Sequence, residues 1–226
     1  MLIKLLSSGS ERQRFVMYAA LLTTVLFGIS TLASAQSERR WSASVGGGYT
    51  PLVGAISNRL DNGWNARVGA EFNVTKHFSI GPRFSWNGLG VGRAVLSEAN
   101  VPGGNSHVWS ITADPRLRLA PFHHLNPYFV GSVGYYRRVL EFTRPTVQAA
   151  FIFDPIFGFF PTFVPADQVL GRITRNSIGG GGGFGFDIGL GHRVSNARFF
   201  AEARYEYAAT GTIPTRMIPL TFGIRF

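Results

Sequence analysis

Trp109-Ser110-Ile111-Thr112-Ala113-Asp114-Pro115-Arg116-Leu117-Arg118-Leu119 divides cleanly by parity. The odd positions carry Trp109, Ile111, Ala113, Pro115, Leu117 and Leu119, and the even ones carry Ser110, Thr112, Asp114, Arg116 and Arg118. A period of two with unlike faces is the mark of a β-strand. Pro115 is awkward in a central strand because it has no N–H to donate, yet the alternation continues unbroken on both sides of it. The same split recurs at Trp64, Ala66, Val68, Ala70 and Phe72 against Asn65, Arg67, Gly69 and Glu71. It recurs at Phe78, Ile80, Phe84 and Trp86 against Ser79, Gly81, Arg83 and Ser85, and at Ala201, Ala203, Tyr205 and Tyr207 against Glu202, Arg204 and Glu206. Ile218, Leu220, Phe222, Ile224 and Phe226 against Thr221, Gly223 and Arg225 end the series. One face is apolar throughout and the other is charged.

The start of the chain indicates which solvent the apolar face meets. Lys4, Arg12 and Arg14 precede an apolar stretch from Phe15 to Ile29, followed by Ala33-Ser34-Ala35. This is the pattern of a cleaved secretory signal peptide over residues 1–35, with an uncleaved anchor over Phe15–Ala35 as the rival reading. No later stretch reads as a membrane helix, and in lipid only helices and closed barrels satisfy every backbone group. The mature part, 36–226, is therefore expected to be one all-β domain, an antiparallel transmembrane up-and-down β-barrel. Composition agrees: of 226 residues 28 are glycine and 14% are aromatic, with 45% hydrophobic and only 15% charged, too apolar for disorder. With no cysteine there is neither a disulfide framework nor a thiolate metal site. The net charge of +10 fits nucleic acid, an anionic membrane surface or acidic substrates; export removes nucleic acid from that set.

Strands are expected at 41–50, 63–72, 78–86, 108–119, 127–142, 177–190, 197–207 and 214–226. Trp41, Tyr49, Trp64, Trp86, Trp109, Tyr205 and Tyr207 lie near strand ends, as two interfacial girdles require. Of the four connections at one end, Pro51–Asn62, Asn87–His107 and Thr143–Asn176 are long and Ala208–Ile213 is not. Asn73–His77, Ala120–Asn126 and Gly191–Asn196 are short, the asymmetry of extracellular loops against periplasmic turns. A sixteen-strand porin at about 10 residues per strand would leave nothing for such loops. Eight strands enclose a lumen just wide enough for side chains to fill, which argues against a wide pore.

Asn126–Tyr136 (NPYFVGSVGYY), Phe199–Tyr207 (FFAEARYEY) and Ile218–Phe226 (IPLTFGIRF) resemble the OmpA/OmpX-like family of small eight-stranded outer-membrane barrels. That resemblance covers the barrel, is specific for the fold and weak for any activity, and implies no periplasmic peptidoglycan-binding domain. It implies a bacterial outer-membrane location among lipid and lipopolysaccharide, a monomer, and a terminal Phe226 read by the outer-membrane assembly machinery.

The inward parity holds Arg67, Arg83, Arg116, Arg118, Arg204 and Arg225 with Glu71, Asp114, Asp187, Glu202 and Glu206. A salt-bridged polar core is the expectation, since buried charges are tolerated only when paired and hydrogen-bonded; a gated ion path is the alternative. The Gly179–Gly183 run lacks the Lys-Ser/Thr of a phosphate loop and reads as strand geometry. His192, Ser195, Asn196 and Glu202 superficially match the His/Ser/Glu set of outer-membrane lipid A deacylases. There the histidine and serine stand two apart and share a face; here they stand three apart in a turn. The adjacent pair His123 and His124 diverges and makes a poor metal site. No catalytic group, metal or cofactor is expected.

Thr143–Asn176 is the segment that a barrel explains least. It carries Phe151, Phe153, Phe157, Phe159, Phe160 and Phe163 among Pro145, Pro155, Pro161 and Pro165. A large exposed apolar patch marks a contact site, so this loop is the candidate surface for an extracellular partner, with packing into the barrel mouth as the alternative. The functional expectation is a structural or surface-interaction barrel. A lipid A-modifying enzyme, and a narrow channel or site for small hydrophobic ligands, are the competing classes. The long-loop end faces outward in this reading: tags at Asn100 and Phe160 should be reachable on intact cells and one at Asn73 should not, and labelling of Asn73 would reverse the orientation.

Overall fold

A computed structural model describes residues 40–120, 124–154, 158–190 and 197–226. The signal-peptide segment 1–35, His123, His192, Ser195, Asn196, Pro155 and Phe157 lie outside the described residues.

The strands are β1 (Trp41–Thr50), β2 (Leu60–Asn73), β3 (Phe78–Val91), β4 (Gly103–Arg118), β5 (Leu125–Asp154), β6 (Gly158–Gly189), β7 (Arg198–Ala208), β8 (Thr215–Met217) and β9 (Leu220–Arg225). From β1 to β8 each strand pairs antiparallel with its sequence neighbour, and β9 pairs with β7 and with β1, so the sheet closes on itself. Both β8 and β9 pair with β7 and form a single stave interrupted at Ile218-Pro219, where proline has no N–H for the ladder. The barrel therefore has the eight staves expected from the sequence. Among the described residues no helix is long and apolar enough to cross a membrane.

The burial pattern is inside out relative to a water-soluble protein. Val133 is 59% and Phe184 64% exposed on the outer face, whereas Arg67 is 6% and Glu202 4% exposed inside. Such an exterior is stable only in hydrocarbon, and the closed ring leaves lipid no unpaired strand edge. Trp41 stacks edge-on against Phe72 (5.1 Å) at the short-turn end. At the other end Trp109 meets Tyr135 (5.5 Å), and Trp86 stacks on His107 (4.4 Å).

Two connections differ from expectation. Much of Asn87–His107 continues β3 and β4, leaving a one-and-a-half-turn helix, α1 (Arg93–Glu98), at the tip. Thr143–Asn176 is not a loop: β5 and β6 run on as a hairpin to Asp154 and from Gly158, pairing Thr143↔Val169 through Asp154↔Gly158. Its prolines hid the strands in the sequence. In the hairpin Pro145, Pro161 and Pro165 lie where β5 and β6 pair only with each other, so their missing N–H groups interrupt no second ladder.

The long-loop end of the lumen is filled with apolar side chains. Leu52 and Ile56 from the first connection and Leu60 at the start of β2 pack with Leu89, Val91, Val108, Tyr136 and Met217; Val95 and Leu96 of α1 and Ile213 of the last connection lie against them.

At the chain terminus Phe226 exchanges two backbone hydrogen bonds with Ala43, N–H to O at 2.9 and 3.2 Å, extending the β1–β9 seam that closes the ring. Deleting Phe226 removes both these bonds and the terminal aromatic. The variant should accumulate as heat-unmodified, protease-sensitive periplasmic protein, and normal membrane levels would show that the terminus plays no part in assembly.

Candidate functional site: the charged lumen

Because strand side chains alternate, the inward positions of all the staves converge on one narrow column. Arg67 of β2 pairs with Glu202 of β7, and Arg204 of β7 with both Glu202 and Asp114 (2.6 Å to the latter). Arg83 of β3 reaches Glu206 (2.7 Å) and Asp114 (3.1 Å). Arg116 of β4 pairs with Glu71, and lies 3.9 Å from Glu202. Arg225 of β9 pairs with Asp187 of β6 and approaches Glu71 at 3.8 Å. All ten of these side chains are buried. The five arginines balance the five carboxylates, so this column is neutral and needs no counter-ion. Arg118 stands apart, half-buried toward the short turns, donating to Asn73 Oδ1 (2.6 Å) and Ser79 Oγ (3.4 Å) rather than to a carboxylate among the described residues.

Two buried aromatics, absent from the sequence-derived set, hold the column in place. Tyr128 of β5 donates its hydroxyl to Glu202 Oε2 (2.8 Å), and its ring lies under the guanidinium groups of Arg116 (4.6 Å) and Arg225 (5.3 Å). The ring of Phe200 lies under Arg67 (4.5 Å) and Arg225 (5.0 Å). Desolvated cation–π contacts of this kind contribute about 2 kcal/mol. Space for the rings comes from glycine. A Cβ on Gly223 would lie 2.7 Å from Phe200 Cζ, and one on Gly185 would lie 2.7 Å from the Tyr128 hydroxyl. The sequence does contain a signal for them: in Tyr128-Phe129 and Phe199-Phe200, parity forces one ring of each pair inward.

Toward the apolar mouth the charges give way to neutral hydrogen bonds. Thr50 Oγ1 donates to Asn87 Oδ1 (2.9 Å), Asn65 Nδ2 to Thr50 Oγ1 (3.1 Å) and Thr221 Oγ1 to Asn65 Oδ1 (2.9 Å); Ser85 and Ser110 share a hydrogen bond of 2.7 Å. Arg67 Nε and Nη2 and Arg116 Nε have no protein acceptor among the described residues. Both arginines line a cavity of about 10 Å³ together with Glu71, Arg83, Asp114 and Arg204, which is room for about one water molecule. Among the described residues no group of histidines and carboxylates is arranged to hold a metal.

Of the aromatic segment, Phe151 and Phe153 lie in β5, and Phe159, Phe160 and Phe163 in β6. The structure thus places them on the hairpin and away from the charged column.

A closed antiparallel ring with an apolar exterior, two aromatic ends and a lumen filled by its own side chains defines a small transmembrane β-barrel of the bacterial outer membrane. The chain belongs to the outer membrane protein beta-barrel domain family, whose model matches residues 19–226. No curated protein sequence matches it. Among solved structures it is similar to Neisserial surface protein A, at 14% identity and a TM-score of 0.55, covering 82% of this chain and 95% of that one. It is also similar to Ail, the attachment invasion locus protein of Yersinia pestis, solved with the heparin analogue sucrose octasulfate: 18% identity, TM-score 0.49, covering 83% and 99%. A major outer membrane protein from Thermus thermophilus matches at 14% identity and a TM-score of 0.47, covering 82% and 98%. At these identities the likeness concerns the fold.

Stranding one member of a buried ion pair costs about 3–5 kcal/mol. Arg67→Ala or Arg116→Ala should therefore lower the urea midpoint of the folded barrel markedly, while Arg93→Ala, exposed on α1, should leave it unchanged. Equal, small losses at all three positions would indicate a hydrated lumen that solvates the abandoned carboxylates.

Proposed function

We propose that the protein is a non-catalytic surface barrel whose extended β5–β6 hairpin contacts an extracellular partner, with the ion-paired lumen serving as a rigid mount. The observation that carries this reading is the unpaired edge on each side of the hairpin. The β4–β5 ladder ends at Gly103↔Thr143, and the β6–β7 ladder begins at Gly179↔Ala208. Beyond those rungs the two strands pair only with each other, and the eleven residues from Arg144 to Asp154 reach about 35 Å at ~3.3 Å per residue. Exposed edges invite an added strand. Val147, Phe159, Val169, Leu170 and Ile173 are exposed along the hairpin, which adds apolar contact area to the backbone donors and acceptors. Lipid and lipopolysaccharide surround the apolar wall in this reading, and the assembly machinery engages the Phe226 end.

The apolar mouth and the neutral column favour a mount over a conduit, since the long-connection end and the middle of the lumen are both filled by side chains. Replacing residues 144–168 with a short Asn-Gly turn, which joins the paired Thr143 and Val169, should leave a heat-modifiable barrel in the membrane. Attachment of expressing cells to protein-coated surfaces should fall severalfold. Unchanged attachment by a correctly displayed truncation would contradict the proposal.

A further inference from the structure

Among the described residues the outer wall carries no charge between its two aromatic girdles, and its first cations appear at the upper one. From Trp41 and Phe72 upward, the outward positions are apolar or small through Val45, Val68, Ile111, Val133, Phe184 and Phe222. At the girdle nearest the long connections the pattern changes. Arg137 of β5 lies opposite Trp109 in the ladder, with its guanidinium 6.0 Å over that indole ring. Arg216 of β8 lies opposite Tyr207, with its guanidinium 5.6 Å over that ring.

Neither arginine has a carboxylate within ion-pairing distance among the described residues. Arg137 Nε is buried without a hydrogen-bond acceptor among them. The contrast with Arg172 is informative: that arginine, opposite Glu141 four residues further along β5, is paired with its carboxylate at 2.6 Å. Arg137 and Arg216 are thus cations held by flat aromatic faces, with donor edges left over, at the depth where an aromatic belt meets lipid headgroups.

We infer that Arg137 and Arg216 seat phosphate groups of the phosphorylated glycolipid of the outer leaflet, lipid A. Guanidinium is the side chain suited to this because its planar fork binds phosphate oxygens in pairs. The aromatic ring beneath each one fixes the plane of the fork before the lipid arrives, which lowers the ordering cost of binding. Charge complementarity at the membrane surface supports the same occupant: basic side chains at this depth attract anionic headgroups by about 1 kcal/mol each. The choice of lipid A over other anionic lipids rests on the orientation that places the hairpin end outside the cell. It does not rest on the hairpin having a partner.

The test uses the full mature barrel, refolded in detergent with lipid A, with phosphatidylglycerol or with phosphatidylcholine, and analysed by native mass spectrometry for retained lipid. Wild type should retain lipid A in preference to both phospholipids. Arg137→Gln and Arg216→Gln should each lower retained lipid A about fivefold, while Arg93→Gln and the 144–168 truncation, which keeps the Arg137↔Asn176 rung, should not change it. Heat-modifiability on gels establishes that each variant is folded, and Arg137→Lys, which keeps charge but loses the fork, should restore retention only in part. Equal retention of phosphatidylglycerol and lipid A by the wild type would overturn the choice of ligand. Undiminished lipid A retention in both folded glutamine variants would overturn the site itself. Because retention is read on purified protein, loss of cell attachment by the truncation stands or falls separately.

Discussion

Hydrocarbon offers no hydrogen-bond partner to a peptide group, and the rest of this structure depends on that constraint. It requires the sheet to close, here through the β1–β9 seam and its last rungs at Ala43 and Phe226. Closure with eight staves sets a lumen with room for side chains only. Alternation then sends every second residue into that lumen, and a strand whose other face must be apolar gathers its polar residues inside. The charged column is thus a consequence of the ring, and its composition is constrained in turn. A carboxylate such as Glu202 is tolerable in that position because Arg67, Arg204 and Tyr128 all reach it.

The lumen is layered along its axis. Arg118, bound to Asn73 and Ser79, lies at the short-turn end. The neutral column of paired charges occupies the middle, a set of Thr, Asn and Ser hydrogen bonds follows, and the apolar cluster around Leu52, Ile56 and Met217 closes the end with the long connections. Such layering puts the interactions that break most expensively in the centre and leaves the ends to connections that can vary. It also separates the roles of the parts: the column holds the staves in register, while the hairpin beyond the rim is attached only through the continuation of β5 and β6.

Much of this was legible in the sequence for a physical reason: a transmembrane strand must be apolar on its lipid face, so Trp109–Leu119 announces both its secondary structure and its direction of facing. The same parity assigns the inward arginines and acids, and the structure brings ten of those eleven residues into one set of contacts. Parity could not place Tyr128 and Phe200 until the neighbouring ring in each pair was recognised as the lipid-facing one. The Thr143–Asn176 strands were hidden because above the rim neither face meets lipid or lumen. There apolar residues occupy both parities, and proline is tolerated on unpaired edges. The apolar mouth was illegible for another reason, since Leu52, Val95 and Ile213 come from three separate connections and meet only in three dimensions.

The central claim is that opposite charges in the lumen stabilise the barrel through each other rather than through water. A double-mutant cycle on Arg67→Met and Glu202→Gln, read as urea midpoints in one lipid, measures this directly. The paired-column account predicts that each single change is costly and that the double variant recovers a large part of the loss, because neither charge is then left stranded. Additive losses, with the double variant as unstable as the two singles together, would contradict it.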